Sequence, residues 1–243
     1  SFHTMGKAVE LMFKSRSPFL TMEFQGGEPT LEPKLIRYGI ECAEETNKTE
    51  KRKIDYVLCT NSINLTEEIM DICQTYHVLI STSLDGPKDL HDMNRPLQNK
   101  DLDHHAIFEK NLAMIRNIWG DNECVSALMT TSKYSLGCFK EIIDEYIRLG
   151  FNNIFLRSLN PYGFAKQYKE KIAYPVEEFI ANYKEGLDYI IELNKQGTFF
   201  VEGFAALLLK RMLTPFATGF VDLQSPAGVG IACLLYTSPS PRD

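Results

Sequence analysis

Two adjacent glycines followed by a carboxylate, Gly26-Gly27-Glu28, are the first chemical signal in this sequence. They follow Thr21-Met22-Glu23-Phe24-Gln25, which reads as a short strand, and Pro29 closes the turn before a helix expected to begin near Pro33. With no Cβ at Gly26 or Gly27, a ligand can approach the main chain closely and the carbonyls can point at a positive group. Glu28 adds a fixed negative charge beside them. Carbonyl oxygens and a carboxylate at the end of a strand suit an ammonium-bearing ligand. A phosphate would want free N–H groups and a following Lys or Ser. An ordinary strand-to-helix turn of an α/β domain would use the same residues.

Similar polar clusters recur after each apolar run: Thr60-Asn61, Ser83-Leu84-Asp85-Gly86-Pro87 and Asn160-Pro161-Tyr162-Gly163. The elements that must position them alternate along the chain. Strands are expected over 19–24, 54–60, 77–83, 124–130 and 153–159, with a further short one near 199–201. Helices are expected over 5–13, from 33, and over 65–76. They continue around Phe108 to Ile118, over 139–147, 176–191 and 204–213. Phe139, Ile142, Ile143, Tyr146 and Ile147 form the apolar stripe of a helix that covers a sheet, stopped by Gly150. Repeated strand-helix units predict an α/β fold with parallel strands and right-handed crossovers, closed as a barrel or open. In either form the loops after the strands gather on the carboxyl rim, where a pocket is built.

Between 87 and 103 a polar loop is expected, carrying His91, Asp92 and Arg95 either at a pocket rim or in a salt-bridged loop. His104-His105 reads as the polar first turn of a helix, since adjacent helical residues point in different directions. Arg157 lies in the apolar stretch Phe155-Leu156-Arg157, where an unpaired guanidinium is costly; a ligand carboxylate or an inward Glu23 is its natural partner.

Composition narrows the function. The chain has 243 residues, a net charge of -6 and no basic run, which excludes a nucleic-acid surface built on clustered Lys and Arg. Its six cysteines are scattered without a C-x-x-C pair, so they form neither a disulfide framework nor a metal knot, and no residue is assigned as a metal ligand. No stretch is apolar enough for a membrane span, and the expected location is the cytoplasm.

Phe24-Gln25-Gly26-Gly27-Glu28-Pro29-Thr30-Leu31, Thr60-Asn61, Ser81-Thr82-Ser83-Leu84-Asp85-Gly86-Pro87, His91-Asp92 and Arg95-Pro96, in that order, resemble the radical S-adenosylmethionine maturases. Within them the sequence is similar to the sulfatase-maturase-like branch with a cysteine-rich SPASM extension. Phe155-Leu156-Arg157-Ser158-Leu159 and Ser225-Pro226-Ala227-Gly228 bring it nearest the His-Xaa-Ser system maturases. The resemblance covers residues 1 to about 231 and implies a (β/α) TIM-like barrel. It further implies that the main chain of Gly26, Gly27 and Glu28 holds the ammonium of S-adenosylmethionine, that Ser83 bonds its carboxylate or ribose, and that Asn61 and Arg157 belong to the same cofactor site. Gln25 is either a substrate-orienting residue or an outward strand-end amide. In such enzymes a 4Fe-4S cluster, fed by a reductant, cleaves the cofactor, and the 5'-deoxyadenosyl radical abstracts hydrogen from a bound peptide or small protein.

The sequence departs from that family at one decisive place. The motif C-x-x-x-C-x-x-C that ligates the cluster is absent, so the chain is expected to be a piece lacking the first barrel strand and the cysteine-rich extension. Residues 1–198 are then the core, 199–233 the start of the linker, and 234–243, with Thr237-Ser238-Pro239-Ser240-Pro241, a tail foreign to the fold. A non-redox α/β-barrel enzyme or a binding module using the same carboxyl-end pocket is the alternative.

Overall fold

The computed structural model describes residues 1–97, 99, 102–120, 123–159 and 164–215. The expected turn over 160–163, the motif Ser225–Gly228, the linker beyond 215 and the tail lie outside these residues. Among the described residues the order is α1 (Phe2–Met12), β1 (Phe19–Phe24), a 3-10 turn (Pro29–Leu31), α2 (Pro33–Glu50), β2 (Lys53–Cys59) and α3 (Glu67–Tyr76). It continues with β3 (Leu79–Ser83), α4 (Lys88–Asn94), α5 (His104–Trp119), β4 (Val125–Leu128), α6 (Phe139–Arg148) and β5 (Asn153–Ile154). The last elements are α7 (Phe164–Gln167), α8 (Lys169–Ile172), α9 (Val176–Lys195), β6 (Val201–Glu202) and α10 (Gly203–Leu213).

The class is α/β with a parallel sheet, as expected. Four strands pair in the order β1-β2-β3-β4, and β5 pairs with β6 in parallel. β1 and β2 run parallel with Phe24 beside Leu58, and β2 and β3 run parallel with Cys59 beside Ser81. Chain contacts divide the described residues into two compact units: Ser1–Thr82 with Lys110–Ser126, and Ser83–Glu109 with residues 127 to 215.

In the first unit the core is Leu20, Phe24, Ile36, Ile40, Tyr56, Leu58, Ile69, Ile72 and Ile80, with β1 and β2 presenting alternate residues to their covering helices. Pro33 starts α2 where its missing N–H costs nothing, and the Thr66 hydroxyl caps α3 by accepting from Ile69 N. In the second unit α6 buries Phe139, Ile142, Ile143 and Tyr146, the stripe read from the sequence.

Two local expectations are corrected and one is refined. The polar loop after Pro87 contains a helix, α4, whose buried residues are Leu90 and His91. His104 and His105 do open a helix, α5, as expected, but both are buried, at 4% and 5% exposure. The strand expected over 153–159 pairs as a strand only at Asn153–Ile154. Beyond it the main-chain donors are satisfied by side chains: Leu156 N donates to Glu202 Oε1 at 3.0 Å and Leu159 N to Tyr174 Oη at 2.7 Å.

Candidate functional site

The bend after β1 is built by two left-handed glycines and one carboxylate. Gly26 has φ 96° and Gly27 φ 57°, a pair of conformations that side chains oppose. A Cβ at Gly27 would have no atom within 4 Å, so the space over that residue is open. Parallel pairing places the carboxyl ends of β1, β2 and β3 on one rim, and the bend leaves from that rim.

Glu28 is the tie that holds the bend. Its Oε1 accepts from Thr30 Oγ1 at 2.8 Å, Thr60 Oγ1 at 2.6 Å and Thr30 N at 3.3 Å, and its Oε2 accepts from Asn61 N at 2.9 Å. The carboxylate thus fastens the loop after β1 to the loop after β2. The second loop is fixed from behind. Ser62, buried at φ 56°, bonds the Thr82 hydroxyl at 2.8 Å, and its carbonyl accepts from Asn111 Nδ2 of α5 at 2.6 Å. Asn61 Oδ1 accepts from Ile63 N at 3.0 Å, a local side-chain turn. Thr30, Thr60, Ser62, Thr82 and Asn111 are therefore parts of the scaffold. Their one trace in the sequence is a density of short polar residues after strands, and Asn111, inside a helix, leaves none.

On the same unit, the Cys59 thiol of β2 donates to Glu23 Oε1 at 3.1 Å. Burial, then the Glu23 carboxylate, pushes this thiol up to about 12, so it stays protonated and unreactive. Cys42, Cys73 and Cys138 are free thiols as well. Gln25 is exposed at the end of β1.

In the second unit the exit from β3 is clamped. Ser83, half-buried, ends the strand; Leu84 O accepts from Tyr146 Oη at 2.7 Å, and Asp85, 2% exposed, accepts a forked pair of bonds from Arg95 at 2.8 and 3.1 Å. Asp85 also accepts from Thr130 N at 2.9 Å, and its own N–H donates to His91 Nδ1 at 3.2 Å. His91 is fully buried and held far below the usual imidazole range, at about 3, by burial first and then by His104 and Arg95. The loop residues His91, Asp92 and Arg95 are thus a structural latch. Arg157 is exposed, its carbonyl accepting from Thr131 N, and it forms no ion pair among the described residues. Glu23, its expected partner, is engaged by Cys59 instead.

No family model matches the chain. A protein of Methanothermobacter thermautotrophicus strain Delta H, itself uncharacterized, is 22% identical over 196 residues, covering 75% of this chain and 70% of that one. Two sets of solved structures share the architecture. The chain superposes on anSMEcpe with bound AdoMet at a TM-score of 0.68 and 19% identity, covering 87% of this chain and 57% of that one. On anSMEcpe with AdoMet and the Cp18Cys peptide the TM-score is 0.75. The chain is similar in fold to the part of anSMEcpe that it covers. Streptococcus suis SuiB bound to its precursor peptide SuiA follows at a TM-score of 0.55 and 14% identity, with 89% of this chain and 46% of that one covered. The chain spans little more than half the length of the anSMEcpe structures it matches. No helix among the described residues is long and apolar enough to cross a membrane.

Proposed function

We propose that the chain is the S-adenosylmethionine-binding core of a cytoplasmic radical enzyme of the sulfatase-maturase-like branch, nearest the His-Xaa-Ser system maturases. Its substrate is a peptide or small protein, modified by hydrogen abstraction. The observation that carries this reading is the Gly26-Gly27 bend on the carboxyl rim, with open space over Gly27 and Glu28 locking it to Thr60 and Asn61. The likeness to anSMEcpe and SuiB, solved with AdoMet and with peptides, supports it.

The residues present fit the amino-acid end of this cofactor. The carbonyls of Gly26, Gly27 and Glu28 accept from the ammonium, and the fixed negative charge of Glu28 favours the cation. Asn61 offers its side-chain NH2 group, because its other polar groups are engaged in the loop. The Ser83 hydroxyl and the Arg157 guanidinium are assigned to carboxylate or ribose oxygens, and Gln25 to the substrate. S-adenosylmethionine, when bound, supplies the hydrogen-abstracting group; the chain places it and keeps water away.

A 4Fe-4S cluster does not fit the residues of this chain. No three cysteines have the required spacing, and the five cysteines of the described residues form no three-thiol group. No redox step is therefore assigned to it. After anaerobic reconstitution, iron analysis is expected to find essentially none, and about four irons per chain would contradict this.

The binding reading is tested by titrating the chain calorimetrically with S-adenosylmethionine and with its analogue lacking the α-amino group. The analogue is expected to bind at least ~10-fold more weakly, and Gly27→Val to lose binding. Equal affinity for both ligands would sink the carbonyl cradle.

A further inference from the structure

We infer that the turn after β4 and the helices α7 and α8 form a docking surface for an acidic segment of the peptide substrate. This rests on the reading of the chain as a peptide-modifying enzyme. Ile172 O accepts from Lys133 N at 2.9 Å, which joins the turn after β4 to the end of α8. That bond brings Lys133 to the stretch carrying Lys166, Lys169 and Lys171, four lysines against one glutamate, Glu170, in a chain whose net charge is -6. All four lysines are exposed.

They also differ from many lysines elsewhere in the molecule. Lys7, Lys48, Lys53, Lys88 and Lys195 are each neutralised by a neighbouring carboxylate. Lys133, Lys166, Lys169 and Lys171 enter no ion pair among the described residues. Two of them are instead carried on exposed tyrosine rings, Lys133 Nζ 5.1 Å from the centre of Tyr134 and Lys171 Nζ 5.9 Å from that of Tyr168. Unneutralised cations held over aromatic faces offer charge and a stacking surface together, which fits Glu or Asp residues beside an aromatic side chain. Thr131 N, two residues before Lys133, donates to Arg157 O, which joins the turn to a residue assigned to the cofactor.

A peptide is favoured over a nucleic acid because the patch is short and sits in an acidic chain, whereas a phosphate backbone is neutralised over longer stripes of Lys and Arg. The test measures fluorescence anisotropy of a labelled Glu-rich peptide with one Tyr, its Gln counterpart, and labelled oligo-deoxythymidine. The Glu peptide is expected to bind ~10-fold tighter than the Gln peptide at low salt, and to weaken as salt shortens the screening length to about 8 Å.

Lys166→Glu/Lys169→Glu/Lys171→Glu is expected to abolish the difference, and the neutral pair Lys133→Gln/Lys171→Gln to shrink it. The equal charge change at Lys14, Lys34 and Lys110, also exposed, is expected to leave it within about twofold. Equal binding of the Gln peptide, equal loss in the control variant, or tighter binding of the oligonucleotide would each overturn the docking surface. Far-UV circular dichroism on the same samples reports folding of the variants, and S-adenosylmethionine binding, measured alongside, stands or falls independently of the peptide result.

Discussion

The Glu28 bend and the latch around His91 solve one problem, holding a loop still at the end of a strand, in opposite ways. At Glu28 a half-exposed carboxylate has every oxygen engaged by short polar neighbours, and the residues behind it are hydrogen-bonded in turn. At His91 the fixing groups are deeply buried, and Nε2 of both His91 and His104 lacks a partner. The tautomers explain the second arrangement. His91 Nδ1 accepts from Asp85 N, so its proton is on Nε2; His104 Nδ1 faces Arg95 O at 2.9 Å, so its Nε2 is bare. A donor and an acceptor thus remain on two rings whose centres are 4.5 Å apart. The bend is stabilised by satisfied hydrogen bonds, and the latch by the buried Asp85–Arg95 ion pair beside a His91 ring that burial keeps neutral.

That contrast can be broken at its strongest point first. Arg95→Leu leaves Asp85 buried with its charge unpaired, and urea unfolding is expected to show a loss of about 3–5 kcal/mol. Glu28→Ala deprives buried Thr30 and Thr60 of their acceptor and should cost about 2–3 kcal/mol, with Glu28→Gln recovering part of it. A cost for Glu28→Ala above that for Arg95→Leu would reverse the ranking of the two regions.

How much of this was legible in the sequence depends on what does the fixing. The glycine pair, the strand before it and the stripe Phe139–Tyr146 announce themselves, because φ and apolar periodicity are local properties. α4 and the start of α5 do not. Their buried faces carry histidine, which a pattern of apolar residues counts as surface, so α4 reads as a loop and the burial of His104 and His105 leaves no trace. The partners of Glu28 were hidden for another reason: Thr60 and Asn61 meet it only through the register of β1 on β2. The pairing of Arg157 with Glu23 fails because the apolar residues around Arg157 suggest an inward strand, while the chain there gives its donors to Glu202 and Tyr174.

pH sharpens the same comparison from the side of the latch. Unfolded, His91 titrates near 6.5; folded, near 3. The unfolded chain therefore takes up the proton first. The contribution of neutral His91 is complete above about 6.5 and is lost as the pH falls toward 3, with a slope of up to about 1.4 kcal/mol per pH unit. His91→Asn, which keeps an acceptor for Asp85 N but cannot ionise, should flatten the acid limb of a stability-pH curve over that window. An unchanged limb would mean that His91 does not control it.

The bond between Arg95 O and His104 Nδ1 has a use beyond the latch. It pins together the two ends of residues 96–103, so the fold around Asp85 senses where that excursion starts and finishes but not how long it is. This is the place where a relative could carry an extra module, or where a fluorescent reporter could be grafted, without disturbing the strand exit that the rest of the second unit is braced against.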